Sequence, residues 1–138
     1  SAEMNELKLI KELDDGDDYT QCDAGDIQQV LIALIINSIE DSTRGGKIIV
    51  RTDYRSNKDQ NQIMIIDNGK GIPKDALPHI FEPFFSMKKS EKNIGLGLSV
   101  VYGIIKEHGG TIDVESKERE GTKFTITLPR LPAAKRDA

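Results

Sequence analysis

The sequence predicts an α+β fold, a two-layer sandwich in which a mixed, mostly antiparallel sheet carries about three helices on one face. Three observations lead to this prediction. Segments with strand or helix periodicity follow one another in the order strand, helix, two strands, helix, two strands. Both long helical segments have one wide apolar face. The last two strands alternate apolar and polar residues, as the strands of a hairpin do.

Length and composition favour a single domain. The 138 residues suffice to bury roughly two-thirds of the surface that the unfolded chain exposes. The 19 basic and 23 acidic residues are spread along the chain, and the net charge of −4 argues against binding to nucleic acid or to an anionic membrane. We expect the domain to occupy residues 3–130, followed by a flexible C-terminal tail at 131–138.

Cysteine content and hydropathy indicate the setting of the domain. Cys22 is the only cysteine, so no internal disulfide can form, which favours a reduced environment. No apolar run approaches the ~20 residues that span a bilayer. We therefore expect a cytoplasmic domain without direct membrane contact, whose parent protein is either membrane-anchored or soluble.

The first elements are a strand and a long helix. Three leucines on alternate positions predict a half-buried first strand: Leu7, Leu9 and Leu13. A turn over 14–18 follows, and Asp23 or Asp26 can cap the helix. Apolar residues then recur at spacings of three and four: Ile27, Val30, Leu31, Leu34, Ile35 and Ile39. Asn37 lies within this pattern, and a polar amide near a buried face needs a partner.

Two strands and a second helix follow. We expect a strand over 47–51, a polar hairpin tip at 56–61 and a strand over 62–66. A short helix over 75–80 is predicted next, and then a mobile polar loop over 86–93. Helical spacing resumes in the apolar residues before a Gly-Gly stop: Leu98, Val101, Ile104 and Ile105. A closing hairpin ends the domain, with strands over 111–114 and 124–128.

The stretch Asp67-Asn68-Gly69-Lys70-Gly71-Ile72-Pro73, here called the Asp67 loop, stands out for its chemistry. A buried strand that ends in a carboxylate and continues into a glycine-rich loop offers a fixed acceptor to a ligand. Gly69 and Gly71 have no Cβ, so a flat ligand can lie against the main chain. The alternative is a simple Asp-Asn-Gly hairpin turn, which is a common use of these residues.

A second glycine pair opens the second helix. In Asn93-Ile94-Gly95-Leu96-Gly97-Leu98, both glycines fall where unpaired N–H groups and the positive end of the helix dipole suit phosphate oxygens. The sequence contains no Walker loop and no catalytic loop of the Ser/Thr kinase type.

The Asp67 loop, the helix that contains Asn37 and the glycine pair together resemble the catalytic and ATP-binding domain of two-component sensor histidine kinases. This domain has the Bergerat-type fold of a superfamily that includes DNA gyrase, heat-shock chaperones and mismatch-repair ATPases. The resemblance extends over residues 7–129 and includes the phenylalanine motif at 81–85. Lys88, after that motif, matches a lysine often found in a nitrogen-regulatory-like subgroup.

The resemblance implies ATP and Mg2+ as cofactors and assigns roles to individual residues. Asp67 would accept a hydrogen bond from the exocyclic amine of adenine. Asn37 would be the metal ligand, and Asn37 and Lys88 the catalytic residues. The nucleotide-binding set implied by the resemblance is Asn37, Asp41, Asp67, Gly69, Gly71, Ile72, Phe85, Lys88, Gly95, Leu96, Gly97, Leu98 and Thr122.

The implied partners are a dimerisation and phosphoacceptor hairpin, upstream in the same parent chain, and a response regulator. His79 and His108 do not lie in the His-Glu or His-Asp motif of a phosphoacceptor. We therefore expect a protein-histidine kinase as part of a longer chain, in which the isolated piece has no turnover of its own.

Three departures from the family pattern leave alternatives open. Ala33 stands where histidine kinases usually have a second asparagine and the hydrolysing relatives have a glutamate. Asn93 and Ile94 stand where glycine and a hydroxyl residue are more usual. The alternatives are a catalytically impaired nucleotide-binding module and an anti-sigma-type Ser/Thr kinase of the same fold. The phenylalanine motif favours the histidine kinase over the latter.

Overall fold

The computed structural model describes residues 7–12, 24–42, 45–54, 59–85 and 96–130. One sheet contains five strands in the order β1-β2-β3-β5-β4. The strands are β1 (Lys8–Glu12), β2 (Lys47–Asp53), β3 (Gln60–Asp67), β4 (Thr111–Lys117) and β5 (Gly121–Pro129). The helices are α1 (Ala24–Asp41), α2 (Leu96–Glu107) and a short 3-10 helix at Leu77–His79. The predicted α+β fold is confirmed.

The sheet is mixed in the way that the sequence predicts. β1 runs parallel to β2, and the β2–β3, β3–β5 and β4–β5 pairs are antiparallel. The long closing hairpin of β4 and β5 confirms the predicted pair of final strands. Because β5 inserts between β3 and β4, the end of β3 lies beside the start of β5. This topology brings Asp67 opposite Thr122.

The core lies between one face of the sheet and the two long helices. Alternate residues of β5 are buried, with Phe124 and Ile126 almost completely shielded from solvent. On α1 the most buried positions recur every four residues, at Val30, Leu34 and Ser38. α1 packs on β2 and β3, while α2 packs on β4 and on α1. The predicted amphipathic helices therefore bury the faces that their periodicity indicates.

The edge strand β1 differs from the prediction in its burial. The strand exists, but Leu9, expected to be half-buried, is 55% exposed. Leu9 pairs with Ile48 and so points to the same face as that core residue. The helices pack mainly over β2, β3 and β4, which leaves this end of the sheet face less covered. Leu13 lies outside the described residues.

The segment after the Asp67 loop forms the predicted short helix as a 3-10 turn with Pro78 in its first turn. Phe81 follows and packs its ring against Tyr102 and Phe124, with centroid distances of 5.5 Å and 6.3 Å. Three expected segments lie outside the described residues: the turn at 14–18, the loop at 86–93 and the tail at 131–138. In the described part of the chain, no helix is long and apolar enough to cross a membrane.

Candidate functional site

Asp67 ends β3 as a buried carboxylate that is only 5% exposed. The apolar run before it fills the centre of the sheet, so the strand carries the carboxylate to the edge of the core. Its Oδ1 accepts the N–H of Gly69 at 2.9 Å. Its Oδ2 is buried and has no hydrogen-bond partner among the described residues. Buried polar atoms are normally paired, so this oxygen is a candidate acceptor for a donor from outside the described residues.

Burial raises the pKa of the Asp67 carboxyl above its ordinary value, because the low-dielectric surroundings disfavour the charged form. The Gly69 N–H, which donates to the carboxylate, acts in the opposite direction. The neighbouring Asp41 carboxylate raises the pKa further by like-charge repulsion. A donor supplied by a ligand would therefore relieve a real electrostatic cost.

The end of α1 holds one side of the Asp67 loop. The Asp41 carbonyl accepts the N–H of Lys70 at 3.1 Å, and the Asp41 Oδ2 accepts the N–H of Gly71 at 3.2 Å. A Cβ on Gly69 would lie 2.4 Å from the Asp41 carbonyl oxygen, so only glycine fits there. The structure thus shows Asp41 as a support of the loop, while its predicted contact with nucleotide stays a prediction.

The β4–β5 hairpin holds the other side of the loop. Arg119 donates its backbone N–H to the Lys70 carbonyl at 2.6 Å. Gly71 has φ +75°, and a Cβ at this position would lie 2.2 Å from the Lys117 carbonyl oxygen. A Cβ on Gly121 would similarly lie 2.0 Å from the Asp67 carbonyl oxygen. The main chain of the Asp67 loop is therefore in van der Waals contact with the end of α1 on one side and with the β4–β5 hairpin on the other, which its glycines permit.

Ser116 joins the loop to β5 and was not identified from the sequence. Its Oγ accepts the N–H of Ile72 at 2.8 Å and donates to the Gly121 carbonyl at 2.9 Å. The same oxygen lies 2.8 Å from the hydroxyl of Thr122. The alternation of the predicted hairpin could have indicated this contact, because Ser116 and Thr122 pair across it on the core face.

Ser38 is the other polar residue that the sequence analysis missed. It is completely buried, and its Oγ has no hydrogen-bond partner among the described residues. Its hydroxyl acts on the pKa of Asp67 in the lowering direction, so the two groups are neighbours although they do not form a hydrogen bond of acceptable geometry. The signal in the sequence is that Ser38 continues the four-residue spacing of Val30 and Leu34, the most buried positions of α1.

Asn37 and Ala33 lie one helical turn apart on α1. Asn37 is partly exposed. Ala33 packs against the core. The described residues include no group of three or more His, Cys, Asp or Glu side chains that could hold a metal ion. An amide oxygen with several waters and phosphate oxygens is a coordination set that Mg2+ accepts, so Asn37 fits the predicted metal role.

The remaining predicted site residues divide into three groups. The side chain of Ile72 is buried in the core, and Phe85 is half-buried with its ring 6.1 Å from that of His79. Gly97 and Leu98 lie in the first turn of α2, where Gly97 is exposed and Leu98 packs against the core. Lys88, Gly95 and the side chain of Leu96 lie outside the described residues.

Comparison with known proteins bears on this site. Residues 22–132 match the family described as histidine kinase-, DNA gyrase B-, and HSP90-like ATPase. The sensor kinase CckA of Brucella abortus is 41% identical over 129 residues, a match that covers 84% of this chain and 14% of CckA. The sensor histidine kinase ZraS of Salmonella typhi is 40% identical over 128 residues, which is 93% of this chain and 27% of ZraS.

A solved structure shows the same fold. The catalytic domain of histidine kinase ThkA, in a nucleotide-free form, has a TM-score of 0.79 and 34% identity, covering 92% of this chain and 82% of that domain. ThkA has also been solved in complex with the response regulator TrrA, with a TM-score of 0.75 and 32% identity over 98% of this chain and 37% of ThkA. The predicted nitrogen-regulatory-like subgroup is not confirmed by the relatives, which include CckA, ZraS and a sporulation kinase.

Proposed function

The chain belongs to the histidine kinase-, DNA gyrase B-, and HSP90-like ATPase family as an ATP-binding domain of the histidine kinase type, and we propose that it presents the γ-phosphate of Mg-ATP to a histidine elsewhere in its parent protein. The observation that carries this proposal is the buried Oδ2 of Asp67, which has no partner among the described residues. It lies at the end of a central strand, beside a loop that glycines bring close to the main chain of two other elements.

Asp67 selects adenine. An ionised carboxylate is an acceptor only, and the exocyclic amine of adenine is a donor at the matching edge of the base. Guanine has a carbonyl oxygen at that position, so acceptor would face acceptor in a site with little water. A buried polar group left without a partner gives strong discrimination between such ligands.

The phosphates extend from the base towards α2. Asn37 contributes an amide oxygen to Mg2+, and the ion neutralises phosphate charge when it is bound. The first turn of α2, with Gly97, directs its unpaired N–H groups at phosphate oxygens, and Gly95, just before the helix in the sequence, is the other glycine assigned to the phosphates. Lys88 adds a positive charge, and it alone supports the finer assignment to a nitrogen-regulatory-like subgroup. The share of this domain in catalysis is positioning and charge neutralisation.

The phosphoacceptor lies outside this chain, on an upstream dimerisation hairpin. Both histidines have local partners: His79 Nδ1 lies 2.8 Å from Glu82 Oε2, and His108 Nδ1 lies 2.7 Å from the Ile104 carbonyl. The chain spans 14% of CckA and 27% of ZraS, which leaves room for a hairpin in a parent of that size. A response regulator is the further partner, as in the ThkA complex with TrrA. We place the domain in the cytoplasm.

Calorimetry with purified chain tests the adenine assignment. Removing one partner of a buried charged hydrogen bond costs ~2–5 kcal/mol, so Asp67→Ala should weaken ATP binding by a factor on the order of 30 or more. Asp113→Ala is the matched control, because Asp113 is an exposed carboxylate on β4. The wild-type chain should bind ATP and discriminate against GTP. Equal ATP affinity in wild type and Asp67→Ala would remove the central claim.

A catalytically impaired nucleotide-binding module is the second candidate, and Ala33 favours it. Its methyl group packs against the core and can neither bind a metal nor activate water. We expect phosphate release from Mg-ATP close to background, because general-base catalysis typically contributes ~10²–10⁴-fold. Phosphotransfer from labelled ATP to the parent's own hairpin domain would support the kinase. Binding of ATP without transfer would support the impaired module, and steady turnover on the order of 1 s⁻¹ would indicate a stand-alone ATPase.

A further inference from the structure

We propose that the free edge of β1 binds a second copy of this chain, by antiparallel pairing of β1 with β1 in which Ile10 of one copy lies opposite Ile10 of the other. The two sheets then form one continuous sheet with a two-fold axis at Ile10. This inference does not rest on the proposed function, because no residue of β1 belongs to the proposed nucleotide site.

The first observation is an edge with unused backbone groups. β1 is an end strand of the sheet, and β2 is its only strand neighbour in the described part of the chain. Lys8 donates its N–H to the Gly46 carbonyl at 3.0 Å, so the backbone groups of residues 8, 10 and 12 are directed at β2. Successive residues of a strand direct these groups to opposite sides. The N–H and C=O groups of Leu9 and Lys11 are therefore directed outward, as on an edge that can accept another strand.

The second observation is that the sequence of β1 complements itself in the antiparallel direction. With the axis at Ile10, Lys8 of each copy lies opposite Glu12 of the other copy. Leu9 of each copy lies opposite Lys11 of the other, and the outward groups of these two residues exchange backbone hydrogen bonds. Opposite charges that face each other across an antiparallel pair stabilise it. Lysine on an edge strand ordinarily discourages pairing, but here each lysine meets a carboxylate or an apolar side chain.

The neighbouring registers lack this complementarity. The outward groups of two copies also face each other if the axis moves by one residue along the strand. An axis at Lys11 places two lysines opposite each other, and an axis at Leu9 places Glu12 opposite Glu6. Like charges directly opposite each other are destabilising. The register centred on Ile10 is therefore the favoured one.

The third observation is the apolar surface on both faces of this edge. Ile10, Ile49 and Ile66 form a row of partly buried side chains across the sheet face opposite to the helices. Pairing at Ile10 joins this row to the same row of the second copy. On the helix face, the aliphatic stem of Lys11 from the second copy covers Leu9, which is exposed in one copy alone.

Glu12 is already positioned for the contact between copies. Its Oε2 lies 2.7 Å from Nη2 and 2.8 Å from Nε of Arg51 on β2. Lys8 of the second copy would complete a network of three charges on this face. A carboxylate that is held before association has less side-chain entropy to lose when the two copies meet.

The size of the contact sets the expected strength. A pair of five-residue strands buries less than the ~1,200–2,000 Å2 of stable interfaces, so we expect a weak and transient dimer. A parent protein that holds two copies together would supply an effective concentration on the order of 1 mM, at which a weak contact forms.

Cysteine cross-linking tests the register. In a Cys22→Ser background, Ile10→Cys places two thiols opposite each other, at a Cα separation of ~4.5 Å that a disulfide can bridge. Lys8→Cys or Glu12→Cys alone leaves the two thiols ~13 Å apart along the strands, whereas a mixture of these two variants brings them together. Asp113→Cys, at an exposed position of the other edge strand, gives the rate of random collision.

We expect Ile10→Cys to form disulfide dimers on the order of 10-fold faster than Asp113→Cys under the same mild oxidant. The mixture of Lys8→Cys and Glu12→Cys should form mixed dimers at a similarly raised rate, identified by mass, while each alone stays at the rate of Asp113→Cys. Circular dichroism checks that every variant is folded. An equal rate for Ile10→Cys and Asp113→Cys would overturn the inference, and selective cross-linking of Leu9→Cys or Lys11→Cys would overturn the register.

Charge reversal tests the same contact with Ile10 intact. Lys8→Glu places carboxylates opposite each other in its own dimer, and Glu12→Lys does the same with ammonium groups. A mixture of the two variants restores both opposite-charge pairs. Sedimentation equilibrium at high concentration should show association of the wild-type chain and of the mixture, and at least about 3-fold weaker association of either variant alone. A mixture that associates no better than its components would contradict the proposal. ATP affinity should be unchanged throughout, so neither experiment bears on the proposed function.

Discussion

The Asp67 loop and the beginning of α2 flank the proposed nucleotide site, but the rest of the molecule holds them very differently. In the loop, Gly69 and Gly71 are buried, and an added Cβ on either would collide with main-chain atoms. At the beginning of α2, Gly97 is exposed, and a Cβ there would have no atom of the described residues within 4 Å. The Asp67 loop is therefore held tightly by its neighbours, whereas Gly97 has no close neighbour among the described residues.

The physical reason is the number of elements that meet at each place. The loop lies where the end of α1, the end of β3 and the β4–β5 hairpin converge, so its N–H groups have protein acceptors on both sides. The first four N–H groups of an α-helix have no partner within the helix, so they can donate to an anion or to water. Contacts that already exist before binding reduce the ordering that binding requires.

The largest expected effect is a difference in the free energy of unfolding between Gly71→Ala and Gly97→Ala. Gly71→Ala should destabilise the chain by about 3 kcal/mol or more, because a left-handed backbone and a close carbonyl both oppose a Cβ. Gly97→Ala should change stability by less than about 1 kcal/mol, in the stabilising direction, since alanine is the better helix former. Urea denaturation of both variants gives the two free energies of unfolding. Similar losses in both would abolish the contrast between a closed and an open side.

A second test asks whether the phosphate side acts independently of the base side. Asn37→Ala should lower the Mg2+-dependent part of ATP affinity on the order of 10-fold or more. It should leave adenosine binding unchanged, because the Asp67 loop is intact. Calorimetry with ATP in the presence and absence of Mg2+, and with adenosine, separates the two contributions. If adenosine and Mg-ATP weaken equally, Asn37 has a structural role and the metal assignment fails.

The third test concerns how the base side is held. Ser116→Ala removes the hydroxyl that connects Ile72, Gly121 and Thr122, and should lower both stability and ATP affinity by about 1 kcal/mol. Ser116→Thr restores a hydroxyl on a β-strand position and should recover most of both losses. Thermal unfolding and ATP titration of the two variants provide the comparison. An unchanged affinity in Ser116→Ala would show that the loop keeps its shape without this connection.

The smallest effect is a pH dependence of the unliganded chain. The pKa of Asp67 is raised by burial, so the folded chain binds the proton more tightly than the unfolded chain. The ionised carboxylate therefore lowers stability as pH rises above the ordinary pKa of 3.8. Asp67→Asn has no such titration, and its stability relative to wild type should increase from pH 4 to pH 7. Urea denaturation at several pH values measures this difference, and a difference independent of pH would contradict the prediction.

Much of this molecule could be predicted because the relevant signals are local. Periodicity of 3.6 or 2 decides which residues of a helix or strand share a face, so the core positions Leu34, Val101 and Phe124 follow from spacing. The strand that ends in Asp67 and the glycines after it are also contiguous in sequence. Their positions could therefore be identified before any tertiary contact was known.

The wrong expectation for Leu9 shows the limit of such signals. Alternation indicates which side of the strand is apolar, and Leu9 does point to the face of Ile48. Alternation does not indicate how far the helices extend across the sheet, and Leu9 remains 55% exposed at the edge strand. Coverage is a property of the helix layer, which is set by packing between distant segments.

By itself, the sequence determined the order of the elements, the amphipathic faces of both helices and the carboxylate and glycines of the Asp67 loop, because each depends on neighbours within a few residues. Only the tertiary structure decided that Asp41 and Ser116 support that loop and that Ser38 lies unpaired beside Asp67. Ser38 and Asp67 are 29 positions apart in the chain, and Ser116 is 44 positions from Ile72. Their contacts exist because α1 and the β4–β5 hairpin close on the end of β3, and local periodicity carries no information about that approach.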